Sequence, residues 1–203
     1  MLVLKRLRKS TVSSGSKCNP KELVVERATD IGALCSFRCG QDVVDGIIQE
    51  IDKYLSTNDL FLVKEENELV AIFCLEKFGH NMFLSDGAKQ NMQKGVKPVP
   101  QRASTEELQE YLDSTFYFDS KELSLLAVKE SERGRHIGSS IIENILDTIA
   151  SDPNNNLEFL FVKALNLQDY SAVPFYRKCG FCPTQDEDLG KSMGMFRVIP
   201  KRD

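Results

Sequence analysis

The stretch from Leu123 to Ala150, LSLLAVKESERGRHIGSSIIENILDTIA, limits the possible folds of this chain more than any other segment. It opens on an apolar run, Leu125, Leu126, Ala127 and Val128, with the length and composition of a buried strand. A polar loop, Lys129 to Glu132, leads into the turn Arg133-Gly134-Arg135-His136-Ile137-Gly138. Ile137, Ile141, Ile142, Ile145, Leu146 and Ile149 then recur at a helical period, so a helix leaves the turn with one apolar face. A strand that passes through a glycine-bearing turn into a helix makes an anion site. The first N–H groups of the helix have no acceptor within it, and the helix dipole adds positive potential there. Gly138 has no Cβ, so a phosphate can come close to the backbone around it and Ser139. Arg133 and Arg135 add charge, and the whole suits a pyrophosphate. The bland alternative is an ordinary strand-turn-helix with a solvated arginine pair.

Neither G-x-G-x-x-G nor G-x-x-x-x-G-K-[ST] is present, which sets aside the dinucleotide fingerprint and the P-loop. The 203 residues are enough for one α/β domain and its core. A net charge of −4 argues against a general polyanion binder, and no apolar run reaches the ~20 residues that span a bilayer. The cysteines are Cys18, Cys35, Cys39, Cys74, Cys179 and Cys182. With no secretory apolar segment, reduced thiols and a cytoplasmic location are expected. Zinc would need the 35/39 and 179/182 pairs to converge. Small half-buried thiols are the simpler reading, so no metal is expected.

Residues 1–20 are basic, with Lys5, Arg6, Arg8, Lys9 and Lys17, and are expected to be a flexible extension. A nucleic-acid arm or a transit segment are the other readings. Residues 21–203 are expected to be a single domain. Leu23 to Val25 reads as a strand. Val43, Val44, Ile47, Ile48 and Ile51 read as a helix with Asp42 a candidate N-cap. Leu60 to Lys64 and Leu69 to Leu75 read as a hairpin around a polar turn. Residues 79–104 carry no period and are expected to be an irregular insertion. A capping box at Ser104-Thr105-Glu106-Glu107 opens a short helix. Leu157 to Ala164 is a further strand, which completes a βαβ unit with the central strand and long helix.

Residues 166–181 read NLQDYSAVPFYRKCGF. A helix is expected from about Ser171 to Cys179, with Pro174 in its first turn and Gly180 as its left-handed C-terminal residue.

Two of these stretches together resemble the GNAT acetyltransferase superfamily. The turn is similar to its acetyl-CoA loop, [Q/R]-x-x-G-x-[G/A]. Arg133, Ile137 and Gly138 fit, while His136 stands where the first glycine belongs. Residues 166–181 are similar to its second signature, N-x-x-A-x-x-[hydrophobic]-Y-x-x-x-G-F. Ala172, Phe175, Tyr176, Gly180 and Phe181 match, Asp169 takes the place of the asparagine, and Asn166 lies three residues earlier. A third piece, Phe37, Cys39, Gly40, Val44 and Asp45, is similar to a signature of the toxin-type acetyltransferases of toxin–antitoxin pairs.

The resemblance implies an α/β (α+β) fold. Its central sheet is mixed and mostly antiparallel, its parallel strands are splayed at the acetyl-CoA site, and helices flank it. It implies acetyl-CoA as co-substrate and transfer of the acetyl group to a primary amine of a small molecule or protein. The alternative acceptor is the amino group of aminoacyl-tRNA. A non-catalytic CoA-binding module is the reading from another class. Implied cofactor-binding residues are Leu126, Ala127, Val128, Arg133, Gly134, Arg135, His136, Ile137, Gly138, Ser139, Asn166 and Ala172. Tyr176 is the implied catalytic acid for the leaving thiolate, with a backbone N–H near Val128 polarising the acetyl carbonyl. Glu122 is either a base or a surface residue. Partners in that reading are a homodimer mate and, for the toxin type, an antitoxin or tRNA, with no membrane.

Overall fold

β-Branched and aromatic residues crowd the runs that become strands, and the longest helical period becomes the longest helix. The computed structural model describes residues 22–77, 79–83, 117–184 and 190–200. Contacts divide the chain into two compact units, Met1–Lys77 with Ser124–Thr148, and Phe78–Leu123 with Ile149–Asp203.

In the first unit, β1 (Leu23–Arg27) pairs antiparallel with β2 (Asn58–Glu65), Leu23 opposite Glu65. β2 turns into β3 (Glu68–Glu76) through Glu66 and Asn67, at φ 50° and 72°. Positive φ at both central residues is the geometry of a two-residue hairpin whose twist matches its strands. From Val70 to Leu75 every residue of β3 is buried, as a strand covered on both faces requires. The Phe61 and Phe73 rings stack with centroids 4.9 Å apart. The neighbour of β3 is β5 (Tyr117–Val128).

Helix α1 (Asp42–Gln49) buries Val44 and Ile48. Its N-cap is Gln41, which makes no side-chain cap bond. The expected cap, Asp42, is the first helical residue, where a carboxylate still favours the positive end of the dipole. Helix α2 (Ile137–Ala150) buries the whole predicted stripe. Ile137, Ile141, Ile142, Ile145, Leu146 and Ile149 are each 2% exposed or less. Each such aliphatic side chain contributes about 1.5–3 kcal/mol by leaving water, so this face fixes the helix.

In the second unit, β4 (His80–Phe83) pairs antiparallel with the start of β5, His80 opposite Ser120. The expected irregular insertion 79–104 therefore begins with a strand. Residues 84–104, the capping-box helix and the extension 1–20 lie outside the described residues. β6 (Phe159–Leu165) runs parallel to β5, with Ser120–Glu122 opposite Phe159–Phe161. Past that register β5 continues to Val128 and β6 to Leu165. β8 (Ser192–Val198) lies antiparallel to β6 along its full length, and the short β7 (Cys182–Pro183) pairs with β8. Between β6 and β7 comes α3 (Val173–Lys178).

The pairing is antiparallel at β1–β2, β2–β3, β4–β5, β6–β8 and β7–β8, and parallel at β5–β6. This is the expected mixed, mostly antiparallel α/β architecture. Cys39, Cys74, Cys179 and Cys182 are buried free thiols, and Cys35 is an exposed one. No described group of His, Cys, Asp or Glu is arranged to hold a metal.

Candidate active site

The anion turn begins where β5 ends. Lys129 donates its N–H to the Val70 carbonyl of β3 at 2.8 Å. Strand alternation then directs the Val128 N–H away from β3. Ala127 is buried, and Leu126 and Val128 are half-buried. A single 3-10 turn, Glu130–Glu132, leads into Arg133. Gly134 has φ 78° and His136 φ 62°. His136 thus adopts a left-handed conformation, which a glycine takes without cost. For a residue with a Cβ the cost is on the order of 1–2 kcal/mol. The first intrahelical bond of α2 runs from the Ser140 N–H to the His136 carbonyl, 3.0 Å. The N–H groups of Ile137, Gly138 and Ser139 precede it and belong to the open helix end. The Ser139 hydroxyl donates to the His136 carbonyl at 2.9 Å. Three successive amides at the positive end of a 14-residue helix fit a diphosphate.

The two arginines are engaged differently from a solvated pair. Arg135 donates through Nη2 to both carboxylate oxygens of Glu65, at 2.9 and 2.8 Å, and through Nη1 to Glu132. Glu65 is buried at the end of β2. Two carboxylates balance the charge of Arg135, so it ties the turn to the sheet. Arg133 donates through Nη2 to the Cys39 carbonyl, and the Glu130 N–H reaches the Arg38 carbonyl at 3.3 Å. The sequence marks both arginines as charge for a phosphate, but carries no signal of these partners.

Residues 37–45 lie against that turn. Phe37 and Cys39 are buried. Asp45 accepts the Cys39 N–H at 2.7 Å and the Gly40 N–H at 3.1 Å, one on each oxygen. Partial burial pushes the Asp45 carboxyl up, but these bonds outweigh it and hold the group below the usual carboxylate range. Burial, reinforced by Asp45, pushes the Cys39 thiol up to about 11, so it is no nucleophile at neutral pH. Gly40 sits at φ 73°, and a Cβ there would come within 2.6–2.8 Å of the Glu130 carboxyl group.

The other residues of interest belong to the second unit. Asn166 donates its N–H to the Lys191 carbonyl at 2.9 Å and forms a bridge with Ser171. Ala172 is the N-cap of α3; its N–H reaches the Leu165 carbonyl at 2.9 Å. The Ala172 carbonyl accepts the Tyr176 N–H at 3.1 Å. Tyr176 is 8% exposed, with Phe175 and Phe181 edge-on to its ring at 5.1 and 5.3 Å. Burial, with Tyr170 and Cys179 adding to it, pushes its phenol well above the usual tyrosine range. The helix ends at Gly180, φ 81°, as expected. Arg197 of β8 donates to the Cys179 carbonyl at 2.7 Å and caps that end. No sequence motif pointed to Arg197. Glu122 pairs with Lys163 at 3.3 Å, its side chain only 15% exposed. Residues 126–139 belong to the first unit, and Asn166, Ala172 and Tyr176 to the second.

Residues 106–183, which contain both of these motifs, match the acetyltransferase (GNAT) domain. This match supports an acetyl-CoA-dependent acyltransferase. No curated protein matches it in sequence. Among solved structures, a tyrosine-to-phenylalanine mutant of KacT is similar at TM-score 0.58 and 18% identity, over 87% of this chain and 95% of that one. AtaT complexed with acetyl-methionyl-tRNAfMet is similar at TM-score 0.58 and 17% identity, over 87% and 94%. AtaTR bound with acetyl-CoA is similar at TM-score 0.57 and 16% identity, over 87% and 94%. At these identities the likeness is one of fold.

Proposed function

We propose that this chain transfers the acetyl group of acetyl-CoA to the nitrogen of a primary amine. The observation that carries the reading is the helix end at Ile137, Gly138 and Ser139, with His136 at a left-handed φ of 62° that favours glycine. In this reading those amides hold the diphosphate, with Gly134 shaping the turn, Arg135 anchoring it and Arg133 beside it. Leu126, Ala127 and Val128 run along the thioester end, and the Val128 N–H faces the acetyl carbonyl. Asn166 and Ala172 lie along the pantetheine arm. The amine attacks the carbonyl carbon, a C–N bond forms, and the C–S bond breaks. The nitrogen loses a proton and the thiolate takes one.

Tyr176 is the group assigned to the thiolate. Its burial weakens it as an acid relative to a free phenol near ~10. It therefore stays protonated throughout the working range and offers its O–H to the charge that grows on sulfur. No side chain is assigned as base. Glu122 is already held by Lys163, and the amine proton leaves through water. Holding the two reactants together supplies most of the rate.

A second reading narrows the acceptor to the amino group of an aminoacyl-tRNA. It is favoured by the similarity to AtaT complexed with acetyl-methionyl-tRNAfMet and by the motif at residues 37–45. On that reading the partners include an antitoxin, as AtaR is for AtaT. The net charge of −4 opposes it, and the basic extension answers only in part. The test is release of free CoA thiol with acetyl-CoA and, in turn, small amines, lysine peptides and charged tRNA. Thiol release with charged tRNA alone supports the second reading. Release with peptides or small amines supports the broader one. No release with any acceptor contradicts both.

A further inference from the structure

The peptide group between Cys39 and Gly40 is gripped at both ends. Its N–H, on Gly40, donates to Asp45 Oδ2 at 3.1 Å. Its C=O, on Cys39, accepts from the Arg133 guanidinium. A trans peptide points these two groups in opposite directions. The order is therefore carboxylate, peptide dipole, guanidinium, with every dipole aligned and each bond charge-assisted, an arrangement in which the members strengthen one another. The second oxygen of Asp45 takes the neighbouring Cys39 N–H at 2.7 Å, which fixes the carboxylate in plane. Gly40 sits at φ 73° beside the Glu130 carboxyl group, and the Glu130 N–H holds the Arg38 carbonyl at 3.3 Å. Arg133 is the first residue of the anion turn.

We propose that Asp45 is a positioning residue for acetyl-CoA, setting the Cys39–Gly40 peptide that in turn sets Arg133 and the turn that follows. The proposal rests on the acetyl-CoA reading above. Without Asp45 the peptide at Gly40 is free to rotate, Arg133 loses its acceptor, and the first residue of the turn is released. The role of residues 37–45 is then to brace the co-substrate turn; no atom of the segment takes part in the transfer.

The test is calorimetric binding of acetyl-CoA and steady-state kinetics on the full chain, for the wild type, Asp45→Asn, Arg133→Gln and the double variant. Asp45→Asn keeps the volume but cannot accept both N–H groups. Each single variant is expected to raise the acetyl-CoA Kd and KM about five- to ten-fold, the net scale of one ordinary hydrogen bond, with kcat within about two-fold. The double variant is expected to be no worse than either single one, because both break one chain of bonds. Multiplying effects, or a lowered kcat at unchanged KM, overturn the proposal. A second readout needs no Asp45 variant: in Arg133→Gln the Gly40 amide should exchange with solvent faster than in the wild type, and unchanged exchange overturns the proposal. A wild type that never binds acetyl-CoA overturns the acetyl-CoA reading and this proposal together. A wild type that binds, with multiplying variants, overturns this proposal alone.

Discussion

On the proposed reading, the turn at residues 133–139 offers backbone amides to its ligand, whereas helix α3 offers one side chain, the phenol of Tyr176. The turn depends on the left-handed conformations of Gly134 and His136 and on the open end of α2. Side-chain identity matters less there, which is how a histidine can occupy a glycine's place. In α3 the backbone is an ordinary six-residue helix ended by Gly180 and capped by Arg197. Its specificity lies in burying one hydroxyl-bearing ring among Phe175 and Phe181. A site made from a backbone fails by distortion; a site made from one atom fails by deletion.

The largest expected effect is a deletion. Tyr176→Phe should lower kcat about 10²-fold or more while the acetyl-CoA Kd stays within about two-fold. Full turnover in that variant would remove the phenol from the mechanism. The ionisation sign is also fixed. A phenol raised by burial favours folding fully below the ordinary tyrosine value near ~10, and that contribution is lost as pH rises through the folded value. The kcat profile should therefore show no alkaline limb below about pH 10 that disappears in Tyr176→Phe.

Next comes distortion of the turn from outside. Arg135→Ala leaves the Glu65 carboxylate buried without the two bonds it now receives. Removing one partner of a buried ion pair costs 3–5 kcal/mol; with Arg135 itself partly exposed, about 2 kcal/mol is expected, read by chemical denaturation. Acetyl-CoA affinity should fall as well, because the tie to β2 is gone.

A smaller effect belongs to Asp45. Its carboxyl is held below the ordinary range, so its contribution to stability is fully present above the unfolded value near ~3.9 and lost as pH falls through the folded value. The acid unfolding curve of Asp45→Asn should be flatter than the wild type's below about pH 4. The smallest effect sharpens the comparison most. His136→Gly relieves a left-handed side chain and should stabilise the fold by roughly 1 kcal/mol, with acetyl-CoA affinity unchanged. Weaker binding would show that the imidazole, and not only the backbone, holds the ligand.

The parts of this protein that sequence made legible are those written in periodicity. The stripe from Ile137 to Ile149 marked α2 and its buried face, and the polar turn Glu65 to Glu68 between two apolar runs marked the β2–β3 hairpin. The second signature placed Tyr176 on a helix ending at Gly180, two residues shorter at its start than the spacing suggested. The missing parts are set by long-range pairing. β4 and β8 are short strands whose partners lie far along the chain. Glu65 is tied to Arg135 across 70 positions and Cys39 to Arg133 across 94, and neither pair leaves a local pattern. His136 shows the opposite limit: its letter departs from the motif, while its φ of 62° is one that favours glycine.

The central claim is that the amides of Ile137, Gly138 and Ser139 hold a diphosphate, and calorimetric titration of acetyl-CoA into the wild type and Gly138→Asp tests it directly. The wild type should saturate at one site, and Gly138→Asp should bind at least about ten-fold more weakly, through steric block and like charge. Equal affinity in the two proteins, or a wild type that never saturates, would contradict it.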